Sequence, residues 1–265
     1  MKRTILAGAL LAAGAVGLLA QPTTAQPQAA PAQAPKGPTP KSQAELQALQ
    51  ALQATAQSGD PDALIKGADD LLTKYSDTDF KDMVLYWEAS AYQQKRDWIK
   101  AQIYGEQSLA ANPKSYQASV LLADILAKHT GEHDLDKEDK LAKAEKYAHQ
   151  TIDLVGSASK PRPDLPDAQW EDIKKGLVGQ AQDDLGLIAT ARKSWDAAVA
   201  AFKAAVAIDS QPAYEVHMAN ALLSAGKFDD CIAVCDKVLA EPNLHPQIQN
   251  VTKSLKAQAV AAKGK

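Results

Sequence analysis

The densest run of metal-ligating side chains in this 265-residue sequence is His129, Glu132, His133, Asp134 and Asp136. Two histidines four apart can share one helix face, and nearby acids can complete a coordination shell. Thr130-Gly131 lies between them, however, and a glycine there ends a helix, so the segment is expected to be a solvated loop and no metal site. Cys231 and Cys235 are also four apart, on one predicted helix. A rigid helical turn holds two such sulfurs in a geometry that a disulfide fits poorly, so they are expected to be small buried hydrophobes. Three carboxylate pairs, Asp69-Asp70, Asp183-Asp184 and Asp229-Asp230, have the residue types for acid–base work. That work needs a pocket to shift a pKa, and none is evident around them, so they are expected on solvated helix faces. The sequence has no Gly-x-Ser-x-Gly elbow, no phosphate-cradling glycine loop and no His-Glu-x-x-His pair. The expectation is a protein without catalytic residues, metal or cofactor, and not an enzyme.

The elements that would position these residues are helices. Alanine occupies 51 positions and aromatics only 5% of the chain, which favours helices and excludes an all-β fold. A net charge of −3 gives no electrostatic footprint for nucleic acid. Two cysteines are too few for a disulfide framework or a four-thiolate zinc site. At the start, Lys2 and Arg3 precede an uncharged apolar run from Ile5 to Ala20. As a helix this run rises about 24 Å, less than the roughly 30 Å of a hydrocarbon core. With small residues at Thr23 and Ala25, it reads as a signal peptide over 1–25, cleaved after Ala25. The expected destination is the periplasm or the exterior, with an uncleaved signal anchor as the alternative. Residues 26–41 hold five prolines among alanine and glutamine and read as an extended linker.

From Ser42 onward small residues recur with a period. Gly186 is followed twelve residues later by Ala198, then Phe202 and Ala205, with Trp195 three before Ala198. The same pattern returns 33 residues on as Ala219, Cys231, Cys235 and Val238, with Phe228 before Cys231 and Gly226 marking the turn. Other copies read Ala89, Tyr92, Trp98, Ala101 and Ser108, and, in stretched form, Ala123, Leu126, Ala144, Tyr147 and Ile152. A weaker first copy has Ala51, Ala54, Ala63 and Leu71 around the turn Ser58-Gly59-Asp60-Pro61. Small residues mark the close approach of two antiparallel helices, and the larger residue plugs the open end of the hairpin.

This arrangement resembles the tetratricopeptide repeat family over roughly residues 44–242, most clearly over 82–113 and 179–240. It departs from the family at Gly67 and Gly105, where an aromatic is usual, and in its two core cysteines. The resemblance implies an all-α, right-handed solenoid over 42–265: about five helix-turn-helix hairpins plus a C-terminal capping helix from Pro246 to about Ala262. Insertions are expected at 130–140 and 155–166, with Pro166 opening a helix that runs to about Ala191. On the cap, Lys253, Lys256 and Lys263 alternate with Val251, Leu255 and Val260, as a helix with one wet face would.

The resemblance also implies a concave groove lined by the first helix of each hairpin. Its positions map to Met83, Tyr86, Ser90 and Gln93, then Gln117, Val120 and Asp124, then Gln180, Asp183 and Leu187, and finally Val216, Asn220 and Leu223. Some family members clamp a terminal carboxylate with lysine, arginine and asparagine on this surface. The matching positions here are neutral or acidic, and Asn220 alone fits. The expected function is therefore an exported scaffold whose groove holds a peptide or helix of a partner protein, with no nucleic acid and no membrane span after cleavage. The alternative is an accessory or enzymatic envelope protein with a weak cation or substrate site at the acidic insertion 130–140.

Overall fold

A computed structural model of the chain describes residues 37–162 and 164–264. The leader expected at 1–25 and the linker through residue 36 lie outside the described residues. Among those described there are eleven helices and no strand. They are α1 (Gln43–Ser58), α2 (Pro61–Lys74), α3 (Lys81–Gln94), α4 (Trp98–Ala111), α5 (Tyr116–His129), α6 (Lys137–Ser157), α7 (Asp167–Ala191), α8 (Trp195–Ile208), α9 (Pro212–Ser224), α10 (Phe228–Leu239) and α11 (Pro246–Lys263). No helix among them is long and apolar enough to cross a membrane.

Local chemistry fixes where these helices start. Ser42, Asp60, Asp97 and Ser115 each turn a side-chain oxygen onto the first backbone N–H groups of α1, α2, α4 and α5. Each such cap contributes about 1 kcal/mol. Three hairpins share one turn geometry. Arg96, Lys193 and Gly226 all take positive φ, at 61°, 60° and 74°, two residues before Trp98, Trp195 and Phe228. In each, the residue after the positive-φ position donates its N–H back to a carbonyl five residues earlier: Asp97 to Tyr92, Ser194 to Ala189, and Lys227 to Leu222. Only the last of the three uses glycine, the residue for which this conformation carries no steric penalty.

Sequential helices pair as α1/α2, α3/α4, α5/α6, α7/α8 and α9/α10, and α11 packs on both α9 and α10. The interior is built from the expected small residues. Ala89, Ala101, Ala123, Ala144, Ala198 and Ala219 are all completely buried. One group of core side chains gathers around Leu49, Trp87, Leu122 and Ile125, and another around Phe202, Leu222, Cys231 and Cys235. At Gly186 the packing is tight: a Cβ there would lie 2.3 Å from the Phe202 ring, so only a residue without one fits. First helices also touch across repeats, α3 on α5, α5 on α7, α7 on α9 and α9 on α11. No second helix packs to a similar extent on the next second helix, so the first helices form the inner layer of the stack.

Three boundaries differ from the sequence reading. Pro166 is the N-cap of α7 and not its first helical residue, with φ −58° and ψ 140°. Both insertions are shorter, because 137–140 form the first turn of α6 and 155–157 its last. The cap faces solvent differently too: Leu255, Thr252 and Ala259 are buried, while Val251 and Val260 are exposed. An i, i+3/i+4 stripe through Leu255 carries the packing face and leaves those two valines outside it.

Candidate functional site

Positions 180, 183, 184 and 187 recur at helical spacing, so Gln180, Asp183, Asp184 and Leu187 occupy one face of α7. Asp124 and Lys128 are related in the same way on α5. Because α7 lies between α5 and α9 in the inner layer, its polar face meets side chains from both neighbours. Asp124 accepts from Gln93 of α3 at 3.4 Å and from Gln180 at 3.3 Å, and pairs with Lys128. Asp183 accepts from His217 Nδ1 of α9, at 2.8 and 3.0 Å to its two oxygens. The His217 ring packs at a tilt on Phe202, with centroids 5.7 Å apart. One polar strip thus crosses four successive hairpins.

Electrostatics follow from burial. Asp184 is completely buried, and neither oxygen has a hydrogen-bond partner among the described residues. Loss of solvation and the charges of Asp124 and Asp183 raise its carboxyl well above the usual range, against the pull of Lys128. Burial alone would lower the Lys128 ammonium, but Asp124, Asp184 and Asp183 outweigh it and hold the group above ordinary lysine. The Tyr214 phenol is raised by burial and by the same acids together with Asp209.

The acid pairs therefore divide. Asp69-Asp70 and Asp229-Asp230 are exposed, and Asp70 and Asp229 meet Lys66 and Lys263. Asp183-Asp184 is not a solvated pair: α7 is covered by α5, α6, α8 and α9, which bury both residues. A further unbonded carboxylate, Glu88 of α3, is also sealed inside. Burial, then the nearby charge of Asp69, pushes it up to about 7.

The remaining groove positions are of three kinds. Tyr86, Val120 and Val216 are buried, Met83, Ser90, Gln93, Gln117, Gln180, Leu187 and Leu223 are half-buried, and Asn220 is exposed. The structure joins Gln93, Asp124, Gln180 and Asp183 into the strip. Lys128, Asp184, Tyr214 and His217 complete it and escaped the groove reading. Lys128, Asp184 and His217 lie three to four residues from positions that were chosen, and that spacing was the available signal; Tyr214 had no such signal.

The loop after α5 is occupied by internal ion pairs. His129 stacks on Trp98 with centroids 3.8 Å apart, and burial lowers its pKa. Glu132 meets Lys137 at 2.6 Å and Lys193 at 3.0 Å, which hold its carboxyl at about 2. Asp134 and Asp136 share Lys140 at 2.8 and 2.9 Å. Among the described residues no three His, Cys, Asp or Glu side chains gather as metal ligands. Cys231 and Cys235 are free and buried, and burial raises both thiols, Cys235 to about 12, which disfavours the reactive thiolate.

No known family's sequence profile matches the chain, and no curated protein sequence matches it. Solved structures do. TTC0263, a thermophilic TPR protein in Thermus thermophilus, aligns over 80% of this chain and 98% of its own at 18% identity, with a TM-score of 0.50. The MamA RS-1 ArsTM double mutant aligns over the same shares at 14% identity, with a TM-score of 0.57. With paired helices, small residues at their crossings and the first helices lining one layer, this chain has the tetratricopeptide repeat fold.

Proposed function

We propose that the inner layer is a docking groove for an extended segment or helix of a partner protein, and that the chain works as a scaffold without catalysis. The supporting observation is the polar strip from Gln93 through Asp124 and Gln180 to Asp183 and His217, which runs across four hairpins beside half-buried Met83, Leu187 and Leu223. A strip that crosses repeats suits a ligand lying along the stack, because each hairpin adds contacts to the same bound segment. Export to the periplasm or the exterior belongs to the same proposal and rests on the apolar leader and the proline-rich stretch after it.

The test is photo-crosslinking in the native host from Gln93 and Asn220, with Lys203 on the exposed face of α8 as the control. One partner captured from both inner positions and absent from the control supports the groove. The same capture pattern from all three positions sinks it. Gln93→Trp, which blocks the strip with bulk and adds no charge, is the loss-of-binding variant to use. Tyr86→Glu is unsuitable, because burial there would destabilise the fold.

A further inference from the structure

Three carboxylates, Asp124, Asp183 and Asp184, meet at the middle of the inner layer, faced by Lys128, the His217 imidazole, the Gln93 and Gln180 amides and the Tyr214 phenol. Two of the three are satisfied: Asp124 by Lys128 and two glutamines, and Asp183 by His217. Asp184 is not. It is completely buried, makes no hydrogen bond, and faces the Asp124–Lys128 pair on α5. A buried carboxylate without a donor is destabilising; an amide of the same size would carry a smaller penalty, and an apolar side chain none. That unfilled acceptor lies in the inner layer, on the helix packed between α5 and α9, unlike the equally buried Glu88.

The rim of this seat is made of side chains able to move. The carboxylates are almost covered, with side-chain exposures of 12% for Asp124 and 5% for Asp183. Lys128 and His217 are more open, at 42% and 33%. A long flexible ammonium on the rim is the group most readily exchanged for another cation.

We propose that the groove centre is a receptor for one cationic side chain, an arginine or lysine of the bound segment, which takes the place held in the free protein by Lys128. This rests on the groove reading above and names the chemistry of its ligand. The incoming cation lies between α5 and α7, donates to the unfilled oxygens of Asp184 and to Asp124 or Asp183, and frees Lys128 to solvent. Charge complementarity selects basic segments and rejects acidic ones, including the terminal carboxylates that a lysine- and arginine-lined groove would take.

Random dodecapeptides displayed on phage and selected on the full chain supply the probes, and photo-crosslinking from Gln93 and Asn220 identifies clones seated in the groove. Those clones are expected to share an arginine or lysine at one fixed position. Replacing it by norleucine should weaken binding, read by fluorescence anisotropy, at least tenfold. Asp184→Asn should weaken it similarly while raising Tm, and Asp183→Asn provides a second arm. Lys128→Gln should tighten binding severalfold by removing the internal competitor, an effect that a purely structural lysine would not produce. Groove clones with no shared cation, or with affinities indifferent to both aspartate variants, overturn the cation receptor and leave the groove standing. A selection in which no clone crosslinks from the groove overturns both.

Discussion

α3 and α7 are first helices of hairpins whose second helices both open on tryptophan, Trp98 and Trp195, and each carries a wholly buried carboxylate without a hydrogen bond. Their surroundings differ. Glu88 senses Asp69 of α2 and Tyr104 and Lys100 of α4, so it belongs to the packing between adjacent helices. Asp184 senses Asp124 and Lys128 of α5, across repeats in the inner layer. A buried charge alone does not mark a binding position; the direction it faces within the stack does.

The largest expected effect separates these two acids by pH. Below about 4.5 Glu88 is neutral in both the folded and the unfolded chain. As the pH climbs toward about 7 the unfolded chain ionises while the folded one keeps its proton, so stability falls over that window. Glu88→Gln should therefore gain about 1–3 kcal/mol at pH 8 and almost nothing at pH 4. Urea unfolding at the two pH values checks this, and it should leave peptide binding unchanged, unlike Asp184→Asn. An unaltered pH slope in the variant would mean that Glu88 has a partner.

Next in size is a pair of glycines. Gly186→Ala places a Cβ 2.3 Å from the ring of Phe202, itself buried and unable to retreat. The expected cost is about 1–3 kcal/mol despite better helix propensity. At Gly105 the nearest atom is the terminal Cδ2 of Leu122, 2.9 Å away. The Cγ of the same fully buried side chain is 3.0 Å away, so turning its terminal methyls does not clear the site. The overlap is still smaller than at Gly186, and Gly105→Ala should cost less than Gly186→Ala, about 1 kcal/mol. Thermal denaturation of both variants gives the comparison directly.

The contrast bears on what the sequence can reveal. Helices, repeat phase and cap were legible because small residues at a fixed period have one cheap explanation, the close crossing of paired helices. Trp195 and Phe228 gave the phase of the last two hairpins, and Cys231 and Cys235 were readable as core from helical spacing alone. Asp183 and Asp184 were misread because adjacent acids are usually solvated. What buries them is contact with α5 and α9, helices distant in sequence. The hydrogen bonds of the strip join residues 31 to 56 apart, which no local pattern announces. The close approach at Gly186 was legible as one of the small positions of the repeat; the structure adds that the Phe202 ring fills the space beside it.

The smallest effect concerns the shared turn. Arg96 and Lys193 hold a left-handed conformation that Gly226 adopts freely. Arg96→Gly should gain about 0.5–1 kcal/mol. Lys193→Gly should gain less, because it also gives up the exposed contact with Glu132. Differential scanning calorimetry resolves shifts of this size, and a loss at Arg96 would show that its side chain contributes more than its backbone costs.

Each hairpin leans on the ones beside it and on little else. Pulled from its two ends in an optical trap, such an array should give way in a staircase, one hairpin after another. Each step would release roughly 100 Å of chain, about 30 residues at some 3.5 Å apiece. A segment lying along several hairpins would bind them like a splint, fusing the steps it spans into a single rip at higher force.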